Sequence, residues 1–321
     1  MYYGTISHEI LHVLGIKHQQ ARYDRDDYLN DANGIEILDE TNSDNFGSPY
    51  DYGSVMHYGR FDTTQKLYDQ TIGHRVGPSF IDIAMINQRY KCFCKTPTVT
   101  CLNGGYPNPN DCDSCICQHG YGSRTCGEID PGTEDESEVI NVESDECQTF
   151  EKSLGTDNNI RYNYYKKTWY HFKAPPGKKV QFIFLKGSDA DQSESDGCDD
   201  NGIEVKITKS KFNRTGFVFC GNNNKFISDS NDNIKKFTST NNLAMLQLFT
   251  RKNKIDVIVK YRFVDSESDE VPSSCAPFNE GDCKNIDTDA KCKGWAADPD
   301  ENCEADPDYM SENCAKTCGT C

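Results

Sequence analysis

A cluster of histidines with one glutamate lies near the start of the chain. His8, Glu9, His12 and His18 fall within residues 8–18, and Gly15 separates the second histidine from the third. In a helix, His8 and His12 are one turn apart, so both imidazoles can reach one metal ion while Glu9 reaches a water beside it. Gly15 can adopt a left-handed conformation that ends the helix and brings His18 back to the same metal. The spacing predicts a zinc site with three nitrogen ligands.

The chemistry of such a site is peptide hydrolysis. Three neutral imidazoles leave one coordination position for water, and zinc lowers the pKa of that water towards about 7. Glu9 can accept the proton as general base and later pass it to the leaving amine. Two histidines at this spacing also occur by chance on helix surfaces, but Gly15 and His18 at the required positions favour the zinc interpretation.

A second segment supports the zinc interpretation. A methionine turn is expected after such a motif, and residues 54–58 (SVMHY) supply it. Together with residues 8–26 (HEILHVLGIKHQQARYDRD), this segment resembles the zinc-helix and Met-turn patterns of the astacin family of secreted zinc metalloendopeptidases. The resemblance implies an α+β metzincin fold, of which residues 1–92 would be the C-terminal portion.

The resemblance also implies roles for individual residues. One zinc ion per chain would be bound by His8, His12, His18 and Tyr58. Glu9 would be the catalytic base, and Met56 would lie beneath the metal. Tyr58 would move away from zinc to stabilise the tetrahedral intermediate, although a tyrosine after a turn can also be a core residue. His57 and His74 are expected to be structural or surface histidines, and Gln19 stands where the family usually has glutamate.

The helix that carries the first two histidines is predicted over residues 5–14. No glycine or proline interrupts this stretch before Gly15, and Ile10, Val13 and Leu14 fall on one apolar face.

Composition indicates an extracellular, modular protein. The chain has 321 residues and 17 cysteines, which crowd into 92–126 and 275–321. Its net charge of −17 argues against nucleic acid as a partner. No apolar run is long enough to span a membrane, and the first ten residues (MYYGTISHEI) lack the features of a signal peptide. Because the cysteines predict secretion, we expect the export signal to lie upstream in a longer protein.

Six cysteines follow the protease segment closely. With Asn103-Gly104-Gly105 after the second of them, residues 93–127 resemble an EGF-like domain. The resemblance implies the pairs Cys94–Cys112, Cys101–Cys115 and Cys117–Cys126. A metal site at Cys112, Cys115 and Cys117 is the alternative. The acidic residues 128–146 are expected to be a linker.

Residues 147–265 are predicted to form a β-sandwich, because residues 168–172, 180–184 and 255–259 alternate as half-buried strands do. The segments around Cys198 and Cys220 resemble a CUB domain, which implies a disulfide between these two cysteines. Trp169 and Tyr170 belong either to the core or to a binding face, with the core favoured. Asn213 begins the sequon Asn-Arg-Thr and is expected to carry a glycan on a surface loop.

The C-terminal residues 283–321 follow a second linker at 266–282. Their six cysteines and the ending CAKTCGTC resemble a small, disulfide-stapled, helical ShK-toxin-like module. After the other cysteines are assigned to modules, three remain: Cys92, Cys147 and Cys275. Cys92 is expected to pair upstream, and a bond between Cys147 and Cys275 is a hypothesis.

The sequence as a whole therefore predicts a multidomain secreted zinc metalloendopeptidase that hydrolyses internal peptide bonds of extracellular proteins. Its partners would be protein or peptide substrates, with extracellular matrix or cell-surface partners bound through the EGF-like and CUB modules. A catalytically inactive fragment or a secreted modular binding protein is the alternative. The intact set of His8, Glu9, His12, His18 and Tyr58 favours the enzyme.

Overall fold

The computed structural model describes residues 3–272 with gaps, together with Cys275 and Cys292. The gaps are residues 31–33, 42, 60, 157, 159, 188–196, 212, 221–234 and 268. The chain divides into two compact units, Met1–Glu270 and Val271–Cys321. The predicted ShK-like module at 283–321 lies outside the described residues except for Cys292. Across the described ranges, we find no helix with the length and apolar character needed to cross a membrane.

The protease segment is built on two α-helices, α1 (Tyr3–Val13) and α2 (Phe80–Arg89). Between them the chain forms loops, the single β-bridge Leu29–Thr63 and three short 3-10 helices, which are Gln19–Ala21, Arg25–Asp27 and Lys66–Tyr68. Secondary structure in the described part of residues 3–92 is therefore mostly helical.

Helix α1 buries its histidine side and leaves part of its apolar face exposed. Ile10 and Val13 of that apolar face are 53% and 85% exposed. The buried positions are Gly4, Ser7, His8 and Leu11. Gly4 explains this orientation, because a Cβ atom there would collide with the carbonyl group of Arg75. The helix packs closely against this backbone and turns its histidine side inward.

Residues 93–127 form two small antiparallel hairpins. Strand β1 (Tyr106–Asn108) pairs with β2 (Asp111–Ile116), and β3 (Tyr121–Gly122) pairs with β4 (Glu128–Ile129). Three disulfides cross-link this region: Cys94–Cys112, Cys101–Cys115 and Cys117–Cys126. The three cysteines considered as an alternative metal site are therefore all oxidised and cannot supply thiolates.

The rest of the first unit is a β-sandwich. Its strands are β5 (Glu138–Asn141), β6 (Gln148–Leu154), β7 (Arg161–Lys173), β8 (Lys179–Gly187), β9 (Asn201–Lys206), β10 (Phe217–Phe219), β11 (Phe237–Thr238), β12 (Leu243–Lys252) and β13 (Ile255–Val264). One sheet has the order β10-β9-β12-β7-β5 and the other β11-β8-β13-β6. All pairs are antiparallel except β5 with β7. The three strands predicted from alternation lie within β7, β8 and β13.

Buried aromatic side chains fill the sandwich. Phe172, Phe182 and Phe184 are fully buried, and the rings of Phe172 and Phe182 meet edge to face with centroids 4.8 Å apart. Tyr170 is part of this core, whereas Trp169 is buried in a separate cluster with Met245, against which Tyr121 and Ile129 pack; neither forms an exposed binding face. The disulfide Cys198–Cys220 joins the start of β9 to the end of β10.

Residues 128–146, which the sequence predicted to be a linker, contain two strands. β4 completes the second hairpin, and β5 adds to the open edge of β7 in parallel. The sequence did not predict these strands, because two- and four-residue strands in an acidic stretch give too short a pattern to detect. Both strands gain their stability from hydrogen bonds to a neighbouring strand.

The protease segment packs directly on the sandwich. The rings of Tyr68 and Phe217 lie 4.5 Å apart, and Tyr68 is part of the same buried cluster as the sandwich core. The Thr71 hydroxyl accepts a hydrogen bond from the Val218 amide (2.9 Å), which lies on edge strand β10. The buried carboxylate of Asp51 accepts one from the Thr215 amide (3.0 Å). The two modules therefore form a continuous interior.

Candidate metal centre

Three imidazole nitrogens converge at the C-terminal end of α1. The Nε2 atoms of His8 and His12 are 3.1 Å apart, those of His12 and His18 are 2.9 Å apart, and those of His18 and His8 are 3.3 Å apart. Within the described residues, these three histidines form the one group of at least three potential metal ligands whose ligand atoms lie within 4.8 Å of one another. The sequence-predicted ligands from the helix and from the turn after it are thus brought to one point.

Backbone carbonyls fix the orientation of two of the rings. His8 Nδ1 lies 2.7 Å from the Val55 carbonyl oxygen, and His12 Nδ1 lies 2.9 Å from that of Ile16. A carbonyl oxygen can only accept, so each Nδ1 carries the proton and each Nε2 presents a bare lone pair. Histidines that bind a metal through one ring nitrogen typically donate a hydrogen bond from the other, as Nδ1 does here.

The turn after α1 delivers the third histidine. Gly15 has a φ of 84°, in the left-handed region, and its amide donates to the His12 carbonyl (2.9 Å). The Ile16 amide then donates to the Leu11 carbonyl (2.9 Å), which turns the chain back towards His18. The side chain of Arg89 from α2 packs where a Cβ on residue 15 would lie. Both the backbone angle and this contact require glycine.

The Met-turn contacts His8 through the Val55 carbonyl and is anchored by α2. Met56 is fully buried with Leu11, Ile16 and Phe80. The carboxylate of Asp82 accepts hydrogen bonds from the Ser54 hydroxyl (2.6 Å) and the Val55 amide (3.1 Å), and from the Ser79 amide (2.9 Å) at the N-terminus of α2. One side chain therefore fixes both the cap of α2 and the backbone whose carbonyl orients His8.

Glu9 and Tyr58 are the accessible members of the predicted set. Glu9 is exposed on α1 next to His8. Tyr58 is 42% exposed, and its ring centroid lies 4.1 Å from that of His18. Both side chains can be approached from solvent, as groups that contact a substrate must be.

Burial controls the protonation of the site. Burial, followed by the nearby charges of His12 and His8, lowers the pKa of His18 to about 4. Burial also lowers the pKa of His8, and it lowers the pKa of His57 to about 4. These imidazoles are therefore neutral near pH 7, the form that binds metals.

The donor set fits zinc. The Nε2 atoms of His8 and His12 carry no proton, so they repel each other at 3.1 Å unless a cation lies between them. In a tetrahedral site with Zn–N bonds of about 2.0–2.1 Å, neighbouring nitrogens are separated by about 3.3–3.4 Å. The observed separations are close to this value. An all-imidazole set of three suits a catalytic zinc site, which keeps a position open.

Two residues of the site were missed by sequence reasoning. Gln20 is fully buried, and its Oε1 accepts a hydrogen bond from the Tyr58 amide (3.0 Å). Asp82 could have been suspected as a capping box from the Ser-x-x-Asp spacing with Ser79. Its bonds to the Met-turn had no signal in the sequence. The backbone amide of Gln19, the residue before Gln20, donates a hydrogen bond to the Met56 carbonyl (3.0 Å).

The remaining predicted positions lie away from the metal centre. Asn213 is half-buried, with its Oδ1 buried and without a partner in the described part of the chain, so it is less accessible than the expected surface loop. Its glycan stays a prediction. Cys92 is a free thiol among the described residues, whereas Cys147 and Cys275 are disulfide-bonded. The bond between those two stays a hypothesis.

Comparison with known proteins places the site in a family. Residues 1–91, at the N-terminal end of this chain, match the Astacin peptidase family, and residues 282–321 match the ShK domain-like family. Zinc metalloproteinase nas-23 of Caenorhabditis elegans is 32% identical over 291 residues, covering 84% of this chain and 51% of that protein. Zinc metalloproteinase nas-20 of the same organism is 30% identical over 283 residues, covering 84% of this chain and 69% of that protein. The chain belongs to the astacin family.

The similarity extends beyond the protease segment of this chain, but it covers only part of the length of these relatives. The chain spans about half the length of nas-23 and 44% of nas-31, another zinc metalloproteinase of Caenorhabditis elegans that is 32% identical. Among solved structures, the CUB1-EGF-CUB2 domains of rat MASP-1 match over 40% of this chain and 44% of that chain at 12% identity, with a TM-score of 0.26. A score this low carries no argument about the fold.

Proposed function

We propose that this protein is a secreted zinc-dependent metalloendopeptidase that hydrolyses internal peptide bonds of extracellular proteins. The observation that carries the proposal is the convergence of the His8, His12 and His18 Nε2 atoms within 3.3 Å of one another. Family membership supports it, because the similar proteins are zinc metalloproteinases. The abundant disulfides support an extracellular location.

Each residue of the site has a distinct task in this proposal. His8, His12 and His18 hold the zinc ion, and Met56 packs beneath them. When bound, zinc lowers the pKa of a water and polarises the carbonyl of the substrate. Glu9 accepts the proton of the attacking water and donates it to the leaving amine. Tyr58 binds the metal at rest and donates a hydrogen bond to the oxyanion of the tetrahedral intermediate.

The other modules restrict where this chemistry takes place. We propose that residues 93–127 are EGF-like and residues 147–265 CUB-like, and that they bind extracellular matrix or cell-surface partners. The net charge of −17 keeps copies of the chain apart by mutual repulsion, which suits a secreted protein. Protein and peptide substrates would be selected near the surface to which these modules attach.

Zinc content and peptide cleavage test the proposal separately. The oxidised chain, loaded with zinc and then dialysed, should retain about one zinc per molecule by elemental analysis, as expected for three imidazole ligands that meet at one point. His12→Ala should lose it. His171→Gln removes a buried histidine of the sandwich and serves as the control that keeps zinc.

Cleavage of fluorescently quenched casein then separates the enzyme from a binding protein. Glu9→Gln should keep zinc but lower the cleavage rate by about 10²- to 10⁴-fold, the usual contribution of a general base. A chain that binds zinc and cleaves nothing would favour the alternative of a modular binding protein. A chain with no zinc would refute the assignment of the three ligands.

A further inference from the structure

The main chain of Tyr58 is held far more firmly than its side chain. The phenol ring is 42% exposed. The amide and the carbonyl of the same residue are both engaged by buried side chains, Gln20 and His57. The carbonyl just before Tyr58, that of His57, accepts a hydrogen bond from the Arg75 guanidinium (3.0 Å). The main chain is thus held by side-chain contacts on both sides of the Tyr58 Cα atom.

Gln20 supplies the contact to the amide. It lies in the 3-10 helix that begins directly after His18, and it is fully buried. Its Oε1 accepts from the Tyr58 amide at 3.0 Å, while its Nε2 has no hydrogen-bond partner within the described residues. Burying an unpaired amide donor is unfavourable. Since only the acceptor is used, the hydrogen bond to Tyr58 is the interaction that this side chain provides.

His57 supplies the contact to the carbonyl. Its Nδ1 lies 2.6 Å from the Tyr58 carbonyl oxygen, which can only accept, so Nδ1 carries the proton. Its Nε2 therefore has a free lone pair and accepts from the Tyr50 hydroxyl at 2.7 Å. Tyr50 is itself fully buried. These two hydrogen bonds, from Tyr50 to His57 and from His57 to Tyr58, fix the tautomer of His57 and the orientation of its imidazole ring.

This arrangement distinguishes His57 from the other buried histidines. His171 is also buried and His74 is half-buried, but their backbone contacts are to Gly120 and Gly197, which lie outside the metal centre. His57 follows Met56 and precedes Tyr58, and its Nδ1 holds the carbonyl of the residue that carries the phenol. A structural role in the core alone would not require that both the amide and the carbonyl of Tyr58 be held by buried side chains.

We propose that Gln20 and His57 are positioning residues that clamp the Tyr58 main chain and thereby present its phenol to the metal. The inference rests on the proposed function, because it requires zinc at the three histidines and Tyr58 as a further ligand. With the main chain fixed, the position of the phenol depends only on its own side-chain torsions. Without either residue, the main chain of Tyr58 can shift. The conformation in which the phenol is released from the metal then becomes more populated.

Copper provides a readout that a purely structural role would not change. Three imidazoles bind Cu²⁺ as well as Zn²⁺. A phenolate bound to Cu²⁺ gives an intense visible charge-transfer band, which imidazoles do not give. The band is measured on the full chain with copper in place of zinc. Tyr58→Phe defines the spectrum without the phenol.

The clamp variants should weaken this band without removing copper. Gln20→Met removes the acceptor and His57→Phe removes the donor, and each should shift the ratio of bound to released phenol by about tenfold, the effect of one lost hydrogen bond. His57→Asn keeps a donor near Nδ1 and should retain most of the band. His171→Phe is the matched control for loss of a buried histidine and should leave the band intact.

The outcomes separate the inference from the proposed function. Copper bound at full stoichiometry, with the band unchanged in both Gln20→Met and His57→Phe, would overturn the clamp and leave the metal site standing. A band that persists in Tyr58→Phe would overturn it as well, because the phenol would not be a ligand. Failure of the unmodified chain to bind copper or zinc would instead refute the proposed function. If His57→Phe does not fold, Gln20→Met alone decides.

Discussion

At the scale of single residues, the metal centre depends on the backbone groups that orient its ligands as much as on the ligands. His8 and His12 present their Nε2 atoms because backbone carbonyls at Val55 and Ile16 accept their Nδ1 protons. His18 reaches them because Gly15 adopts a left-handed conformation. A change at Gly15 should therefore disturb the site although glycine binds nothing.

Gly15→Ala tests this dependence. A side chain at φ 84° is strained by about 1–2 kcal/mol, and its Cβ would also press on the Arg89 guanidinium. We expect lower stability in urea unfolding and weaker zinc binding in competition with a chelator. Gly34→Ala is the matched control, because Gly34 has a φ of 81° and open space where the Cβ would lie. Equal effects on zinc binding in both variants would contradict the role of Gly15.

At the scale of elements, helix α2 supports the Met-turn through its own N-terminal cap. Asp82 completes a capping box with Ser79 and also accepts hydrogen bonds from Ser54 and Val55. The cap of one helix and the turn beneath the histidines therefore share a carboxylate. Losing it should loosen both elements together.

Asp82→Ala should lower the free energy of unfolding by about 2–4 kcal/mol, because it removes a helix cap and leaves buried donors unpaired. Urea unfolding measures this loss. Asp111→Ala, at an exposed carboxylate on β2, is the control with a small expected effect. A loss for Asp82→Ala no larger than that of the control would show that the shared carboxylate contributes little to stability.

The protonation of Asp82 gives a prediction about pH. Burial raises the pKa of Asp82 to about 6 in the folded protein, above the value of about 3.9 in unfolded aspartate. The fold therefore favours the protonated form, and this contribution to stability is present below about pH 4 and is lost as the pH rises through about 6. The stability of the unmodified chain relative to Asp82→Asn should fall over this window. Urea unfolding at several pH values measures it, and a constant difference would contradict it.

At the scale of the whole molecule, the protease segment and the sandwich share an interior. The Thr71 hydroxyl joins them by accepting from the Val218 amide (2.9 Å) and donating to the Gly216 carbonyl (3.4 Å), and it is fully buried. Edge strand β10 is thereby covered by the protease segment. A covered edge is also protected from pairing with other chains.

Thr71→Val keeps the shape of the side chain but leaves two backbone groups unpaired. We expect a loss of about 1–3 kcal/mol per orphaned group and faster hydrogen exchange at the Val218 amide. Thr250→Val is the control, since the buried Thr250 hydroxyl bonds within the sandwich, to the Lys252 carbonyl (2.8 Å). If both variants left Val218 equally protected, the contact across the modules would not hold β10.

The sequence alone predicted which histidines converge and much of the organisation of this chain. The spacing of His8, His12, Gly15 and His18 could be read directly, because helix periodicity and the freedom of glycine act over a few residues. Alternation gave the long strands β7, β8 and β13 for the same reason. The cysteine pattern resembled an EGF-like domain, and the structure contains the pairs that this resemblance implied.

Only the tertiary structure decided which surfaces meet. It turned Ile10 and Val13 outward because Gly4 packs against Arg75, and it made strands of a predicted linker. It also brought Gln20 and Asp82 to the metal centre. These outcomes depend on hydrogen bonds and packing between residues far apart in sequence, whereas the ligand spacing depends on one helix and one turn. The ligand spacing can therefore be predicted from a short stretch of sequence, whereas the contacts that hold the ligands in place can be seen only in the folded chain.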